Sequence, residues 1–168
     1  MTELIAEVGL AHDGSLGIAH SYIDLAKSLG IDTIKFQMHE PRYESSKNEK
    51  FRINFSYEDN SRYDYWERTS FSLENWFKLK NHAKEKNINF LITPFSIKAL
   101  ENIHKLGLKR VKIGSAEVVD KLILNRALDY EFDMIISNGF CDDSIFEIID
   151  RIKPRINNLS VLECTSKY

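Results

Sequence analysis

Short apolar runs alternate with amphipathic stretches along most of the chain. Six runs are apolar at successive positions, the pattern of strands that are buried on both faces of a parallel sheet. They span residues 4–8, 33–36, 90–93, 110–113, 134–137 and 159–164. Because helical patterns separate most of these runs, the sequence predicts right-handed βαβ crossovers and a parallel sheet.

Five stretches between the runs carry apolar residues at helical spacing and predict amphipathic helices. Gly30 and Gly107 follow two of them, where helices often end in a left-handed residue, and Pro154 ends the last. Ser72 is the predicted N-cap of the second. The residues on the predicted apolar faces are Ile18, Tyr22, Leu25, Ala26 and Leu29; Trp76, Leu79, His82 and Ala83; Ile97, Leu100, Ile103 and His104; Leu122, Leu124 and Ala127; and Ile145, Ile148, Ile149 and Ile152.

The segment from Gln37 to Ser72 breaks the alternation, since it is polar, charged and aromatic and much longer than an ordinary βα loop. It follows the C-terminal end of a strand, where α/β folds place their substrate loops. Tyr63, Tyr65 and Trp66 are predicted to form a small core of this segment rather than a stacking surface for substrate.

Two architectures fit this order of elements: a doubly wound open sheet, and a (β/α)8 barrel of which the chain supplies a part. A whole barrel needs at least about 200 residues, whereas the chain has 168 and its last predicted strand has no helix after it. The sequence therefore predicts an α/β protein made of the first six βα units of an incomplete (β/α)8 TIM-type barrel. Residues 1–168 would form the N-terminal portion of one domain.

Composition excludes several classes of partner. The chain is 43% hydrophobic and 29% charged, as in globular proteins, and its formal charge of −2 favours neither nucleic acid nor a membrane surface. No apolar run approaches the roughly 20 residues of a membrane helix. Cys141 and Cys164 are too few for a disulfide framework and are predicted to be small buried hydrophobes. A cytoplasmic location is expected.

Polar side chains follow the C-terminal ends of the predicted strands, which meet at one mouth of a parallel barrel. Lysines supply charge there and hydroxyls supply directional donors, so the mouth suits a small anion with a phosphate and a carboxylate. Two of the lysines, Lys35 and Lys112, lie inside apolar runs, where an ammonium is costly unless an anion binds it. In chain order the residues are Glu7, Lys35, Gln37, Thr93, Lys112, Ser115, Glu117, Ser137, Ser166 and Tyr168.

The same segments resemble the sialic acid synthase (N-acetylneuraminate synthase) family, in the family's order and over essentially the whole chain. The similar segments are AEVGLAHDGS at 6–15, IKFQ at 34–37, ITPF at 92–95, VKIGSAE at 111–117, ISNGF at 136–140 and CTSKY at 164–168. The resemblance implies a TIM barrel that condenses phosphoenolpyruvate with an N-acylated amino-sugar aldehyde. The product would be a sialic-type nonulosonic acid.

The resemblance also implies roles for individual residues. Lys35, Lys112 and Glu117 would be catalytic, with Glu117 moving a proton. The residues expected to bind substrate are Glu7, Gln37, Thr93, Ser115, Ser137, Ser166 and Tyr168, of which Glu7 and Tyr168 would contact the amino sugar. Three positions depart from the family pattern: Asp13 replaces the usual Asn, Asn138 the usual Thr, and Ser166 an Asn that reaches the phosphate.

Further expectations concern the complete enzyme. The family uses a divalent metal, Mn²⁺ or Mg²⁺, whose histidine ligands would lie beyond Tyr168, as would an antifreeze-like domain that completes the sugar site of a partner subunit in a homodimer. The chain itself is expected to contain no metal ligands. His12 is predicted to pack and hydrogen-bond within a turn, and His20, His39, His82 and His104 to be structural or solvated.

Two other functions remain open. One is a non-catalytic barrel fragment that retains only an anion pocket or an assembly surface. The other is an aldolase-like barrel in which Lys35 or Lys112 forms a Schiff base. The isolated chain is expected to expose Val161 and Leu162, to associate through open sheet edges, and to lack synthase activity.

Overall fold

Six strands and seven α-helices alternate along residues 2–165, which a computed structural model describes. The strands are β1 (Ile5–Gly9), β2 (Thr33–Met38), β3 (Asn89–Pro94), β4 (Arg110–Ile113), β5 (Asp133–Ser137) and β6 (Leu159–Leu162). The helices are α1 (Leu16–Ser28), α2 (Pro41–Glu44), α3 (Arg62–Thr69), α4 (Leu73–Glu85), α5 (Ile97–Lys105), α6 (Lys121–Asp129) and α7 (Ser144–Ile152). All six predicted strands and all five predicted helices are present.

The strands form two three-stranded sheets, in the orders β1-β2-β3 and β4-β5-β6. β1 pairs with β2 in parallel, and β5 pairs in parallel with both β4 and β6. The chain divides into two compact units, Met1–Leu91 and Ile92–Tyr168, with the boundary inside β3. The α/β class and the parallel pairing are therefore confirmed, whereas the single barrel stays a prediction.

In the first unit, the buried face of α1 shares only Ala26 with the predicted one. Its buried residues are Ala19, Ile23 and Ala26, while Ile18, Leu25 and Leu29 are exposed. Both sets have helical spacing, and the buried set contains two alanines, which allow a close approach to neighbouring elements. On α4 the prediction is correct for Trp76, Leu79 and Ala83, which are buried. Ser72 caps α4 by accepting from the backbone N–H of Asn75.

The long segment after β2 contains two helices, α2 and α3, that the sequence pattern did not indicate. The Ser61 hydroxyl caps α3 by accepting from the backbone N–H of Asp64. Aromatic rings hold the segment together: Tyr65 packs edge-on against Phe55 at 5.1 Å, and Trp66 stacks on His39 at 4.7 Å. The predicted small core of this segment is therefore confirmed.

In the second unit, each helix buries one face, and β6 is more exposed than β4 and β5. Leu100, Ile103, Leu124, Ala127, Ile145 and Ile152 are buried as predicted, whereas Leu122 is exposed. β6 lies at the edge of its sheet, and Ser160, Val161 and Leu162 are exposed. The burial of β6 on both faces that its apolar run predicted is therefore wrong, whereas the expected exposure of Val161 and Leu162 is confirmed.

Candidate functional site

A β-bulge at the end of β1 arranges the first group of predicted site residues. Glu7 lies opposite Lys35, and Gly9 lies opposite Phe36, so Val8 has no direct partner in the ladder. Gly9 has a φ of +57°, which favours glycine. A Cβ atom at Gly9 would lie 3.4 Å from Glu7 Oε1 and 3.6 Å from Gln37 Nε2. The bulge thus brings the side chains of Glu7 and Gln37 to the same glycine.

Lys35 already has an acidic partner in this group. Its ammonium forms an ion pair with the Glu7 carboxylate, and only 13% of the Lys35 side chain is exposed, against 46% for Glu7. The costly ammonium in the apolar run of β2 is therefore compensated within the chain. An external anion that binds Lys35 must share it with Glu7 or displace that carboxylate.

The turn after β1 is fixed by the C-terminal end of α3. Asp13 and Gly14 have positive φ values of 50° and 79°, and a Cβ at Gly14 would lie 2.5 Å from the Arg68 carbonyl oxygen. Arg68 donates to Asp13 Oδ1 at 2.9 Å and to Asp59 Oδ2 at 2.8 Å. Asp13, at a position where the resemblance implies Asn, is thus a charged partner of Arg68.

His12 is fully buried in this turn. Its Nδ1 atom accepts from the backbone N–H of Gly14 at 3.1 Å, and its ring stacks on Phe71 at 4.5 Å. Burial lowers the pKa of His12 to about 4, although the charge of Asp13 acts in the opposite direction. The prediction of a packing and hydrogen-bonding histidine is confirmed.

In the second unit, Lys112 lies buried in β4 and points its ammonium at neutral oxygens. Its Nζ atom donates to Ser137 Oγ at 2.6 Å and to the Ile113 carbonyl at 3.0 Å. Burial lowers the pKa of Lys112, while Cys164 and Glu117 act to raise it. The sequence predicted Lys112 and Ser137 at strand ends, and the structure shows a hydrogen bond between them. Neither hydrogen-bond acceptor of Lys112 carries a charge that would compensate the ammonium.

Asn138 and Cys164 complete this group, and sequence reasoning missed both. The Cys164 Sγ atom lies 3.3 Å from Ser137 Oγ, and the backbone N–H of Cys164 donates to Asn138 Oδ1 at 2.8 Å. Cys164 and Cys141 are only partly buried, so their prediction as buried hydrophobes was wrong. The position of Cys164 just after β6 was the available signal, because the other site residues were also predicted from their positions at strand ends.

The loops after β4 and β5 are joined by a further hydrogen bond. Ser115 Oγ accepts from the backbone N–H of Gly139 at 3.2 Å. Glu117 begins a 3-10 turn, and its carboxylate lies so close to Gly114 that a Cβ atom there would collide with it. Thr93 is buried at the end of β3. Ser166 and Tyr168 lie outside the described residues.

The described strand ends offer no donor set that suits a metal ion. Within residues 2–165, no group of three or more His, Cys, Asp or Glu residues is placed to hold one. The charged side chains at the strand ends are two lysines and two glutamates, and one of the glutamates, Glu7, is paired with Lys35. Metal ligands beyond Tyr168 remain a prediction.

No helix within residues 2–165 is long and apolar enough to cross a membrane.

The sequence profile of the NeuB family matches residues 22–168. The chain belongs to the NeuB family. A NeuB-family relative, the N,N'-diacetyllegionaminic acid synthase of Legionella pneumophila, is 30% identical over 98% of this chain and 49% of its own length. Human N-acetylneuraminate-9-phosphate synthase is 28% identical over 98% of this chain and 47% of its own length.

A solved structure agrees with this assignment to the NeuB family. The N-acetylneuraminic acid synthetase of Leptospira borgpetersenii, in complex with citrate, superposes with a TM-score of 0.83 and 26% identity. The match covers 98% of this chain and 54% of that one. The chain therefore spans about half the length of the relatives that it matches.

Proposed function

We propose that this chain belongs to a nonulosonic acid synthase that condenses phosphoenolpyruvate with an N-acylated amino-sugar aldehyde. The observation that carries the proposal is Lys112, a buried ammonium whose hydrogen-bond acceptors, Ser137 Oγ and the Ile113 carbonyl, are both uncharged. An anion would offset the cost of burying this charge. The names of the legionaminic acid and N-acetylneuraminate-9-phosphate synthases support the class of reaction.

In the proposed reaction, C3 of phosphoenolpyruvate attacks the aldehyde carbon of the open-chain sugar. Water then adds at C2, and the C2–O bond to phosphate breaks. Lys112 would hold the phosphoenolpyruvate as a fixed charge, and the Ser137 hydroxyl would orient it. The Glu117 carboxylate would move a proton during the condensation. A divalent metal and a second subunit remain predictions for the whole enzyme.

The binding part of the proposal can be tested by replacing Lys112 with Met. We expect titration calorimetry to show that Lys112→Met lowers affinity for phosphoenolpyruvate at least about tenfold, because a buried charge-assisted bond to an anion is lost. Lys109→Met is the matched control, since Lys109 is exposed just before β4, and it should bind as the wild type does. Unchanged affinity of Lys112→Met would contradict the proposal.

The same variant should not lose stability. Removing an ammonium from an apolar environment relieves its desolvation cost, so the melting temperature of Lys112→Met should equal or exceed that of the wild type. A folded variant that fails to bind would separate a binding role of Lys112 from a structural one.

A second candidate function, aldolase-like chemistry, is favoured by the lowered pKa of Lys112. Its amine would condense with a substrate carbonyl, giving an imine and releasing water. Treatment with borohydride in the presence of pyruvate would then add a stable mass to the peptide that contains Lys112. If no adduct forms while phosphoenolpyruvate binds, the synthase function is favoured.

A further inference from the structure

Two histidines on neighbouring helices bring their ring nitrogens together at the surface of the first unit. His20 lies in α1 and His82 in α4, and their Nδ1 atoms are 2.9 Å apart. The ring centroids are 4.9 Å apart, so the two Nδ1 atoms face each other across the helix pair. Both side chains are partly exposed and line a shallow depression with Lys78, Asn81 and Glu85. Ions in solution can therefore reach this pair.

A carboxylate orients one of the two rings from behind. Asp24 Oδ1 lies 3.2 Å from His82 Nε2, and the same oxygen is 2.6 Å from Lys86 Nζ. When His82 Nε2–H donates to Asp24, the lone pair of His82 Nδ1 is directed toward His20. Metal-binding histidines commonly donate their far N–H to a carboxylate in this way, which fixes the tautomer that binds the ion.

Charged side chains lie around the pair. Burial lowers the pKa of His20, and the charges of His82 and Lys78 lower it further, while Asp24 acts in the opposite direction. Lys78 is itself paired with Glu74 at 2.7 Å, and Lys86 is paired with Asp24. Glu85 adds negative charge to the rim of the depression. Both lysines near the pair are therefore compensated by carboxylates.

We propose that His20 and His82 form a two-imidazole site for a borderline transition-metal dication, such as Zn²⁺ or Ni²⁺, that joins α1 to α4. Two nitrogens bound to one such ion are about 2.9–3.4 Å apart, because metal–nitrogen bonds measure about 2.0–2.1 Å. The two Nδ1 atoms already have nearly this separation, and a small rotation of the rings directs both at the ion. Water molecules complete the coordination, since the described residues provide no third ligand to this pair.

Binding of the ion requires one hydrogen to change position. Only one N–H hydrogen fits between the two Nδ1 atoms, so the His20 ring must carry its hydrogen on Nε2 when both Nδ1 atoms bind the metal, and neutral imidazoles release no net proton. Protonation of either ring competes with the metal, so the affinity falls as the pH is lowered. The hard ions Mg²⁺ and Mn²⁺ prefer oxygen ligands, so they should not compete at this pair. The site is separate from the strand ends and does not depend on the proposed function.

Titration calorimetry of the full chain with Zn²⁺ and with Ni²⁺ tests the proposal. The wild type should bind one ion of either metal, and binding should raise its melting temperature. His20→Ala and His82→Ala should each weaken this binding at least about tenfold, and Asp24→Asn should weaken it about tenfold through the orientation of His82. Mg²⁺ should give no such signal.

His104→Ala is the matched control, because His104 lies in the other unit and stacks on Tyr130 at 4.2 Å. It should bind Zn²⁺ and Ni²⁺ as the wild type does. The two cysteine thiols are unchanged in all these variants, so any Zn²⁺ that they hold would be retained. Equal binding by the wild type, His20→Ala and His82→Ala would overturn the proposal, and so would a wild type that binds neither ion.

Discussion

Lys35 and Lys112 meet the cost of a buried charge in different ways. Lys35 has the Glu7 carboxylate as its partner, whereas the acceptors of Lys112 are a hydroxyl and a carbonyl. An apolar run interrupted by lysine indicated that each charge needs compensation, but it could not indicate that Glu7 lies opposite Lys35. That pairing follows from the register and the bulge of β1 against β2. Anion binding at the two lysines should therefore respond differently when neighbouring side chains are replaced.

Glu7→Gln tests this difference at Lys35. The substitution removes the carboxylate that an external anion has to share or displace, so the affinity for phosphoenolpyruvate should stay the same or rise. Lys35→Met should lower it, because the charge itself is lost. Titration calorimetry measures the affinity of both variants for phosphoenolpyruvate. A loss of affinity in Glu7→Gln equal to that in Lys35→Met would contradict the competition between Glu7 and the anion.

His12 should make the protein sensitive to acid. The pKa of His12 is about 4 in the folded protein and 6.5 in the unfolded chain. The unfolded chain therefore binds the proton first as the pH falls. Stability is then lost between pH 6.5 and 4, by about 3 kcal/mol in total. Urea unfolding across this pH range measures the loss.

His12→Phe provides the comparison for this pH effect. It removes the titrating group, and its stability at neutral pH should be lower because the Gly14 N–H loses its acceptor. Its further loss between pH 6.5 and 4 should nevertheless be smaller than that of the wild type. If both proteins lose the same amount, His12 does not cause the acid sensitivity.

At the scale of elements, apolar spacing predicted which segments are helices better than which face they bury. On α1, Ile18, Leu25 and Leu29 are more hydrophobic than Ala19 and Ala26, yet the alanines are buried. Hydrophobicity increases with the size of an apolar side chain. Two elements that pack closely together, however, require small side chains where they meet. α3 was missed because its sequence is largely polar, and its stabilising features are the Ser61 cap and the contact of Tyr65 with Phe55 rather than an apolar stripe.

Arg68→Ala should detach α3 from the turn before α1. The change leaves Asp59, which is buried, without the guanidinium that lowers its pKa, and Asp13 without its charged partner. An uncompensated buried polar group costs about 1–3 kcal/mol, so a loss of this size is expected in urea unfolding. Lys78→Ala is the control, since it removes only an exposed ion pair with Glu74 and should cost less than about 1 kcal/mol.

At the scale of the whole molecule, the sequence predicted six parallel strands but not their division into two sheets. Apolar runs and helical spacers determine the order of elements along the chain, whereas sheet membership depends on hydrogen bonds between distant segments. The family resemblance supplied the barrel, and the NeuB family is confirmed. The match to about half of each relative's length leaves the barrel and the homodimer as predictions.

The chain should associate with itself through β6. This strand lies at the edge of its sheet within the described residues, and Val161 and Leu162 are 41% and 42% exposed. Exposed apolar groups on an edge strand favour pairing with another chain, so sedimentation should show a mass that rises with protein concentration.

A double variant in which both Val161 and Leu162 are replaced by Lys should stay monomeric, because charges on an edge oppose pairing. Leu29→Lys, which changes an equally apolar but helical surface residue that is 68% exposed, should associate as the wild type does. Association that persists in the Val161/Leu162 variant would place the contact elsewhere on the molecule.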